Sequence, residues 1–382
     1  MAQTTPTPNK RLESLDILRG TDLFFLVLIE RFIHSFTHAL DTPFGDAIVY
    51  NFTHVKWEGF APWDLVMPLF MFMAGVSMPF SLNKYRGENG SKKGIYIKIT
   101  KRFLILWVFG MLCQGNLLAL DPGRIYLFSN TLQAIAIGYF FTAILFINFS
   151  TKTLIAIAGS CLVVFWAAME FITIDGFGGG DYTPAHNLAE WVDRVVLGRF
   201  RDGAIVENGE VIFSARYNYT WILSSINFVV TVMTGLFAGI ILKNRETSGL
   251  RKVLLMLGIG AAMVAAGWLW GLQHPVIKKI WTSSMTLVSS GYCFLLMGIF
   301  YYVIDYKSWS KGLKWLKVLG MNSILAYMLM NVMDFSSLGD SLLFGFKQYV
   351  GHFYPALILA SQSVIIYLIL LYLYKKKIFL KI

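Results

Sequence analysis

The sequence predicts an all-α polytopic membrane protein with about ten transmembrane helices, both termini on the cytoplasmic side, and one long structured outer loop. Of its 382 residues, 56% are hydrophobic and 14% are charged, which is more apolar surface than a soluble core of this length can bury. Uncharged stretches of roughly 20 residues recur, the length that a helix needs to cross a bilayer. These stretches lack the period-two alternation of a barrel strand, so the spans are helices.

The order of apolar runs and charged breaks sets the predicted topology. The runs place the spans at residues 15–38, 64–82, 100–118, 128–149, 152–172, 218–242, 250–270, 280–304, 315–334 and 353–374. With the amino terminus inside, 22 of the 33 Lys and Arg residues lie in cytoplasmic segments and nine lie outside, in agreement with the positive-inside rule. The net charge of +11 is therefore a topology signal, and no nucleic-acid partner is expected. Residues 1–382 are treated as one membrane domain.

The predicted outer loop, residues 173–217, is too long for a simple connection and has internal patterns of its own. Its glycines near residue 178 predict a flexible start. Apolar residues from Leu188 to Val196 then repeat at helical spacing, which predicts a helix. Asn208–Gly209 stands between alternating apolar residues and predicts a β-hairpin.

Charged residues inside the first predicted helix are candidates for function, because charges in a bilayer are costly unless they are paired or used. Asp16 and Arg19 are three residues apart and can pair near the cytoplasmic edge. That pair is compatible with a structural role and equally with a role facing a cofactor. Glu30 lies toward the outer end of the same helix, and we expect it to line a site.

The segment before the second predicted span contains several side chains that can take part in catalysis. His54 and Trp57 precede Asp64, with a lysine and a further acid between them. An imidazole near the membrane surface can act as a general base or accept an acyl group. Asp64 is also a candidate N-cap of the second helix.

Several motifs together resemble one enzyme family. They are Ser-Leu-Asp-Ile-Leu-Arg-Gly from Ser14, His-x-x-Trp-x-Gly from His54, Asp-Leu-Val-x-Pro-Leu-Phe from Asp64, Gly-Val-Ser from Gly75, Ser-Asn-Thr-Leu-Gln from Ser129, Pro-x-x-Lys-Lys-x-Trp-Thr-Ser from Pro275 and Gly-x-Asn-Ser from Gly320. In this order they resemble the heparan-alpha-glucosaminide N-acetyltransferase family of transmembrane acyltransferases.

The resemblance implies an acetyl-CoA-dependent N-acetyltransferase that acts on a terminal glucosamine or related glycan on the non-cytoplasmic side. It implies that His54 is the active-site histidine and that Glu30 stands where some members carry an assisting asparagine. Acetyl-CoA is expected as the donor substrate, and no metal is expected. The expected partners are membrane lipid, acetyl-CoA and the glycan acceptor, with a homodimer as a further possibility, and the expected location is a bacterial inner membrane.

Other residues of these motifs are candidates for binding. Lys278, Lys279, Trp281, Thr282 and Ser283 can bind a phosphate of CoA or a sugar, or can anchor the helix at the interface. Asn322, Ser323 and Tyr327 can bind substrate or join helices by hydrogen bonds. The predicted binding set is completed by Asp16, Arg19, Trp57, Asp64 and Gln133. Two alternative functions stay open at this point, namely O-acetylation of an envelope glycan and solute transport.

Overall fold

The structure, a computed structural model, describes residues 12–86, 92–114, 117–213 and 219–380. Most of these residues are helical. The helices, labelled in chain order, are α1 Glu13–Leu40, α2 Pro43–Asn51, α3 Pro62–Tyr85, α4 Lys93–Cys113, α5 Thr131–Asn148, α6 Thr151–Phe171, α7 Leu188–Leu197, α8 Ser225–Lys243, α9 Gly249–Gly271, α10 Ser283–Tyr306, α11 Lys314–Met321, α12 Ser323–Val332, α13 Ser336–Leu343 and α14 Tyr354–Lys375. Within α1, residues Phe24–Ile29 form a π-helical segment.

Eight helical segments in the described ranges are long and apolar enough to cross a membrane. These segments support the prediction of an integral, multi-pass, helical membrane protein. Two of the ten predicted spans fall outside this set. Helix α4 carries Lys93, Lys98, Lys101 and Arg102 in its first half, and the span predicted at 315–334 is broken at Asn322 into α11 and α12. The count of ten stays a prediction.

Glycines set the closest helix crossings. A Cβ atom at Gly235 or Gly239 of α8 would meet the backbone carbonyl of Phe72 or Val76 in α3. Gly20 of α1 and Gly320 of α11 approach each other's helices in the same way. Small residues let helix backbones approach closely in membranes, so the GxxxG of α8 and the glycines of two family-like motifs serve helix packing.

The first and last described segments lie at the same end of the helical bundle. Glu13 forms an ion pair with Lys317, with 3.1 Å between the charged atoms. The side-chain amide of Asn322 donates to the Ile378 carbonyl at 3.0 Å and accepts from the Leu380 amide at 2.9 Å. We call this the tail end, which the sequence predicts to be cytoplasmic, and the opposite end the lobe end.

The end of the bundle opposite the tail end is covered by a small lobe, which gives the lobe end its name. The described part of the predicted outer loop, residues 173–213, contains β1 Thr173–Ile174, β2 Phe177–Gly178, α7, β3 Ala204–Glu207 and β4 Glu210–Phe213. The predicted helix and the predicted Asn-Gly hairpin are confirmed, with φ of 52° at Asn208 and 84° at Gly209. The predicted flexible start is wrong, because the glycines there belong to the tight hairpin of β1 and β2. Residues 214–217 lie outside the described residues.

Candidate active site

Two loops at the lobe end are held side by side. Glu58 and Ile277 form an antiparallel bridge, and the Gly59 amide donates to the Val276 carbonyl at 2.8 Å. The first loop carries His54 and the second carries Lys278. Residues that are more than 200 positions apart in the chain therefore meet at one place.

His54, Asp64 and Lys278 form a compact polar cluster. The Nδ1 atom of His54 lies 2.8 Å from an oxygen of Asp64. Nζ of Lys278 lies 3.0 Å from His54 Nδ1, 3.4 Å from His54 Nε2 and 3.4 Å from the same Asp64 oxygen. A proton on Nδ1 donates to the buried carboxylate, which leaves Nε2 as the ring's proton-accepting atom.

The surroundings of the cluster favour a neutral imidazole. Burial and the positive charge of Lys278 lower the pKa of His54, and the hydrogen bond to Asp64 opposes them only in part. Burial also lowers the pKa of Lys278, to about 8, although the Asp64 carboxylate favours its charged form. The side chain of His54 is 41% exposed while that of Lys278 is 8% exposed, so the imidazole is the reachable member of the cluster.

The cluster opens into a cavity of about 220 Å³, which we call the lobe-end cavity. Its wall combines aromatic faces with hydrogen-bonding groups, among them the Glu30 carboxylate. The lining residues are Leu26, Glu30, His54, Trp63, Val66, Met67, Phe70, Gln114, Ser129, Asn130, Thr131, Tyr219, Trp221, Lys278 and Tyr327.

A second cavity, of about 310 Å³, adjoins the first. This tail-end cavity shares Phe70, Thr131 and Tyr327 with the lobe-end cavity and reaches Phe379 and Leu380 at the tail end. Two guanidinium groups line it, those of Arg19 and Arg102. The two cavities therefore adjoin inside the bundle, and we refer to this pair of adjoining cavities as the path.

Some of the predicted site residues meet along this path. Glu30, His54, Lys278 and Tyr327 line the lobe-end cavity, and Arg19, Ser323 and Tyr327 line the tail-end cavity. Arg19 also donates to the Met73 carbonyl at 3.0 Å. Asp64 is 1% exposed and reaches neither cavity, but its carboxylate contacts His54. Its prediction as an N-cap is wrong, because the helical turn begins at Pro62 and Asp64 instead accepts the amide of the true N-cap, Ala61, at 3.0 Å.

Apart from Lys278, the residues of the motif that begins at Pro275 make mainly structural contacts. Trp281 is buried and donates to the Thr231 hydroxyl at 3.1 Å. Thr282 is the N-cap of α10, and the Ser283 hydroxyl donates to the Leu162 carbonyl at 2.8 Å. The structure therefore does not bring Trp281, Thr282 or Ser283 to the wall of either cavity. Lys279 is only partly buried, and its ammonium lies 5.8 Å from the centre of the Tyr219 ring.

Other predicted binding residues also support rather than line the path. Gln133 accepts the Ser129 and Asn130 amides at 2.8 and 3.1 Å and donates to the Leu127 carbonyl at 2.7 Å. It thus holds two residues that do line the cavity. The indole of Trp57 donates to the Tyr182 carbonyl at 2.9 Å and fastens the lobe. Asp16 is 2% exposed in the packed first helix, and Asn322 binds the tail.

Sequence reasoning missed a group of lining residues. Ser129, Asn130 and Thr131 stand in the motif that supplied only Gln133 to the predicted set, so a polar run at a helix start was an available signal. Tyr219 and Trp221 follow the outer loop and carried no such signal. They reach the cavity because the Asp193 carboxylate of the lobe accepts the Trp221 and Ile222 amides at 2.8 and 2.9 Å.

Comparisons with known proteins agree with the resemblance that the motifs carry. Residues 11–189 match the family described as Domain of unknown function (DUF5009). The chain is 26% identical over 372 residues to heparan-alpha-glucosaminide N-acetyltransferase of Homo sapiens, covering 83% of this chain and 52% of that protein. It is 25% identical over 440 residues to the Mus musculus protein of the same name, covering 100% of this chain and 62% of that protein. The chain thus spans between half and two thirds of the length of these relatives. The resemblance carried by the motifs is confirmed, and this chain is a distant relative of the heparan-alpha-glucosaminide N-acetyltransferases.

Proposed function

We propose that the protein is a membrane acetyltransferase that moves acetyl from acetyl-CoA to the amine of a glucosamine-like sugar. The observation that carries this proposal is the meeting of two cavities at Phe70, Thr131 and Tyr327, with the His54 cluster on one side of the meeting point. A donor that enters from one end can thereby present its thioester to an acceptor that enters from the other.

The tail-end cavity suits the donor. Acetyl-CoA carries phosphates at one end and a thioester at the end of a narrow pantetheine arm. Guanidinium groups bind phosphates by charge-assisted hydrogen bonds, and Arg19 and Arg102 line this cavity. The arm would extend from them toward Tyr327. Because the sequence predicts the tail end to be cytoplasmic, this arrangement takes the donor from the cytoplasm.

The lobe-end cavity suits an amino sugar. Trp63, Tyr219 and Trp221 offer flat apolar faces to a pyranose ring. Asn130 and Gln114 offer amide groups to its hydroxyls, and the Glu30 carboxylate offers a hydrogen-bond acceptor to its amino group. The acceptor amine would therefore lie beside His54.

The cluster can then carry out the transfer. His54 Nε2 takes a proton from the amine, and the amine nitrogen attacks the thioester carbon. The Lys278 ammonium stabilises the negative charge that develops on the carbonyl oxygen. The C–N bond forms, the C–S bond breaks, and the departing sulfur takes from His54 the proton that the amine gave up, so that CoA leaves as the thiol. Asp64 keeps the imidazole oriented throughout.

The proposal is tested with purified protein sealed in vesicles. With labelled acetyl-CoA supplied to the tail end and glucosamine to the lobe end, we expect acetyl on the sugar nitrogen of product recovered from the lobe-end side. Supplying both substrates to the lobe end alone should give no product. Transfer that needs no access to the tail end would contradict the proposed donor path.

Two alternatives predict different products from the same vesicles. O-acetylation of an envelope glycan uses the same donor, and it would give a base-labile ester in place of an amide. Transport is favoured by the joined cavities themselves, and it would appear as movement of unmodified labelled sugar without acetyl-CoA. The chemical form of the sugar after crossing or reaction therefore decides among the three.

A further inference from the structure

A third cavity lies on the side of the bundle, between α1, α3 and α10. This side groove has a volume of about 280 Å³. Leu18 and Phe25 contribute to it from α1, Leu65 and Leu69 from α3, and Leu296 and Phe300 from α10. Phe25 is 40% exposed on the outside of the bundle, within the apolar segment Glu13–Leu40 that is long enough to cross a membrane. The groove is therefore apolar and opens toward the membrane.

One residue sets the groove apart from an ordinary lipid-facing surface. Asp22 lines it and is 5% exposed, and its buried Oδ2 atom has no hydrogen-bond partner in the described part of the chain. An unsatisfied polar group in hydrocarbon is costly. The helix turns π-helical at Phe24, two residues later, and such segments occur frequently at functional sites. The groove thus offers a long apolar surface with one buried hydrogen-bonding group.

The side groove adjoins the lobe-end cavity. Trp63 and Val66 line both cavities, which are therefore neighbours. A molecule with its sugar in the lobe-end cavity can therefore place an attached chain in the groove. Asp22 faces that chain from the groove wall, where it can bond to a hydroxyl or amide at the start of the chain.

We propose that the side groove is the binding site for the alkyl chain of the acceptor, so that the substrate class is a membrane-embedded glycolipid whose amino sugar reaches His54. This inference rests on the proposed function. It commits to a chain attached to the acceptor, rather than to an ordinary membrane phospholipid.

The first test locates the chain without measuring activity. An alkyl glucosaminide with a diazirine at the end of its chain is photolysed with the protein in detergent-free nanodiscs, and the crosslinks are mapped by mass spectrometry. We expect crosslinks within 18–25, 62–69 and 296–300 that excess octyl glucosaminide removes and added phospholipid does not. Crosslinks spread over the lipid-facing helices, or removed equally by phospholipid, would overturn the proposal.

The second test compares matched variants of α10. Leu296→Trp fills the groove, whereas Ile299→Trp changes a neighbouring residue that is 48% exposed and does not line it. In nanodiscs, Leu296→Trp should raise the KM for octyl glucosaminide by about tenfold, equivalent to losing roughly two buried methylene contacts, and should leave the KM for methyl glucosaminide unchanged. Ile299→Trp should change neither value.

The outcomes separate the two proposals. If both glucosaminides are acetylated and Leu296→Trp affects them equally or not at all, the groove proposal fails and the proposed function stands. If neither is acetylated, the proposed function fails, and the crosslinking map alone then decides whether the groove holds the chain. With a glucosaminide that carries a hydroxyl or amide at the start of its chain, Asp22→Asn should keep binding and Asp22→Leu should weaken it, because only the amide still forms a hydrogen bond. Unchanged binding in Asp22→Leu would remove Asp22 from the site.

Discussion

Two histidines at the lobe end lie in neighbouring loops and have opposite surroundings. His54 is 41% exposed and shares its Nδ1 with a carboxylate and an ammonium. His274 is 0% exposed; it accepts the Ser283 amide on Nε2 at 3.0 Å, and its Nδ1 lies 2.8 Å from the Tyr182 hydroxyl. Tyr182 in turn donates to Glu170 at 3.0 Å. Both ring nitrogens of His274 are therefore occupied.

The comparison shows how the same side chain becomes reactive or structural. Because Nε2 of His274 must accept, its Nδ1 must donate to Tyr182, and the ring stays neutral. Burial lowers the pKa of His274 to about 4, so it does not titrate near neutral pH. His274 fixes the start of the loop that carries Lys278, whereas His54 has a ring nitrogen that can serve a substrate. Both histidines lie in loops at the lobe end, so their roles are distinguished by their hydrogen bonds and not by their positions in the chain.

The largest expected effect comes from exchanging each histidine for glutamine. His54→Gln should lower kcat for acetyl transfer by about 10²- to 10⁴-fold, the usual contribution of a general base, with little change in thermal stability. His274→Gln should retain a kcat within a few-fold of wild type in the protein that remains folded. Acetyl transfer measured beside a melting curve checks both. Full activity in the His54→Gln protein would contradict the assignment of His54 as the general base.

The next largest effect is expected on the binding of the acetyl donor. Arg102 lines the tail-end cavity, and its guanidinium stacks 4.2 Å from the centre of the Tyr139 ring. Arg102→Gln should raise the KM for acetyl-CoA by about 10- to 100-fold, since hydrogen bonds to charged groups contribute roughly 1.5–3 kcal/mol. The acceptor KM should stay the same. Lys101, an exposed neighbour on the same helix, supplies the control, because its change to Gln should leave both constants unaltered. An acetyl-CoA KM that rises equally in both variants would contradict the assignment of Arg102.

The structural role of His274 should be measurable as a contribution to protein stability. Tyr182→Phe leaves His274 without its acceptor and should lower the free energy of unfolding by about 1–3 kcal/mol, the cost of an unsatisfied buried group. The kinetic constants measured below the melting temperature should not change. Thermal unfolding monitored in nanodiscs, together with the acetylation assay, measures both. A fall in kcat with no loss of stability would place Tyr182 in the reaction instead.

The smallest expected effect is a shift in titration. The positive charge of Lys278 lowers the pKa of His54, so Lys278→Met should raise it. In wild type the base is available above a pKa that lies below 6.5, and activity should fall as the pH decreases through that value. In Lys278→Met, modification of His54 by diethyl pyrocarbonate should begin at higher pH. Peptide mass spectrometry follows His54 separately from the other histidines. An unchanged profile would contradict the electrostatic coupling.

Much of the helical architecture was predictable because lipid imposes a simple rule on sequence. Eight of the predicted spans coincide with apolar helical segments in the described ranges, and the lobe's helix and Asn-Gly hairpin were found where their patterns placed them. The glycine-rich start of the lobe was misread because glycines that permit flexibility also permit the positive φ of a tight turn. The break at Asn322 that divides the predicted span 315–334 into two helices was not predicted, because hydropathy does not register it.

The sequence by itself determined the membrane class, the helical spans, and the presence of an unusual histidine and acid before the second span, because hydropathy and local motifs are properties of neighbouring residues. Only the tertiary structure decided that Lys278 joins His54 and Asp64, that Trp281, Thr282 and Ser283 do not reach a cavity, and that Tyr219 and Trp221 do. These outcomes depend on contacts between residues far apart in the chain. No local pattern records such contacts, since they arise from how the loops and helices pack.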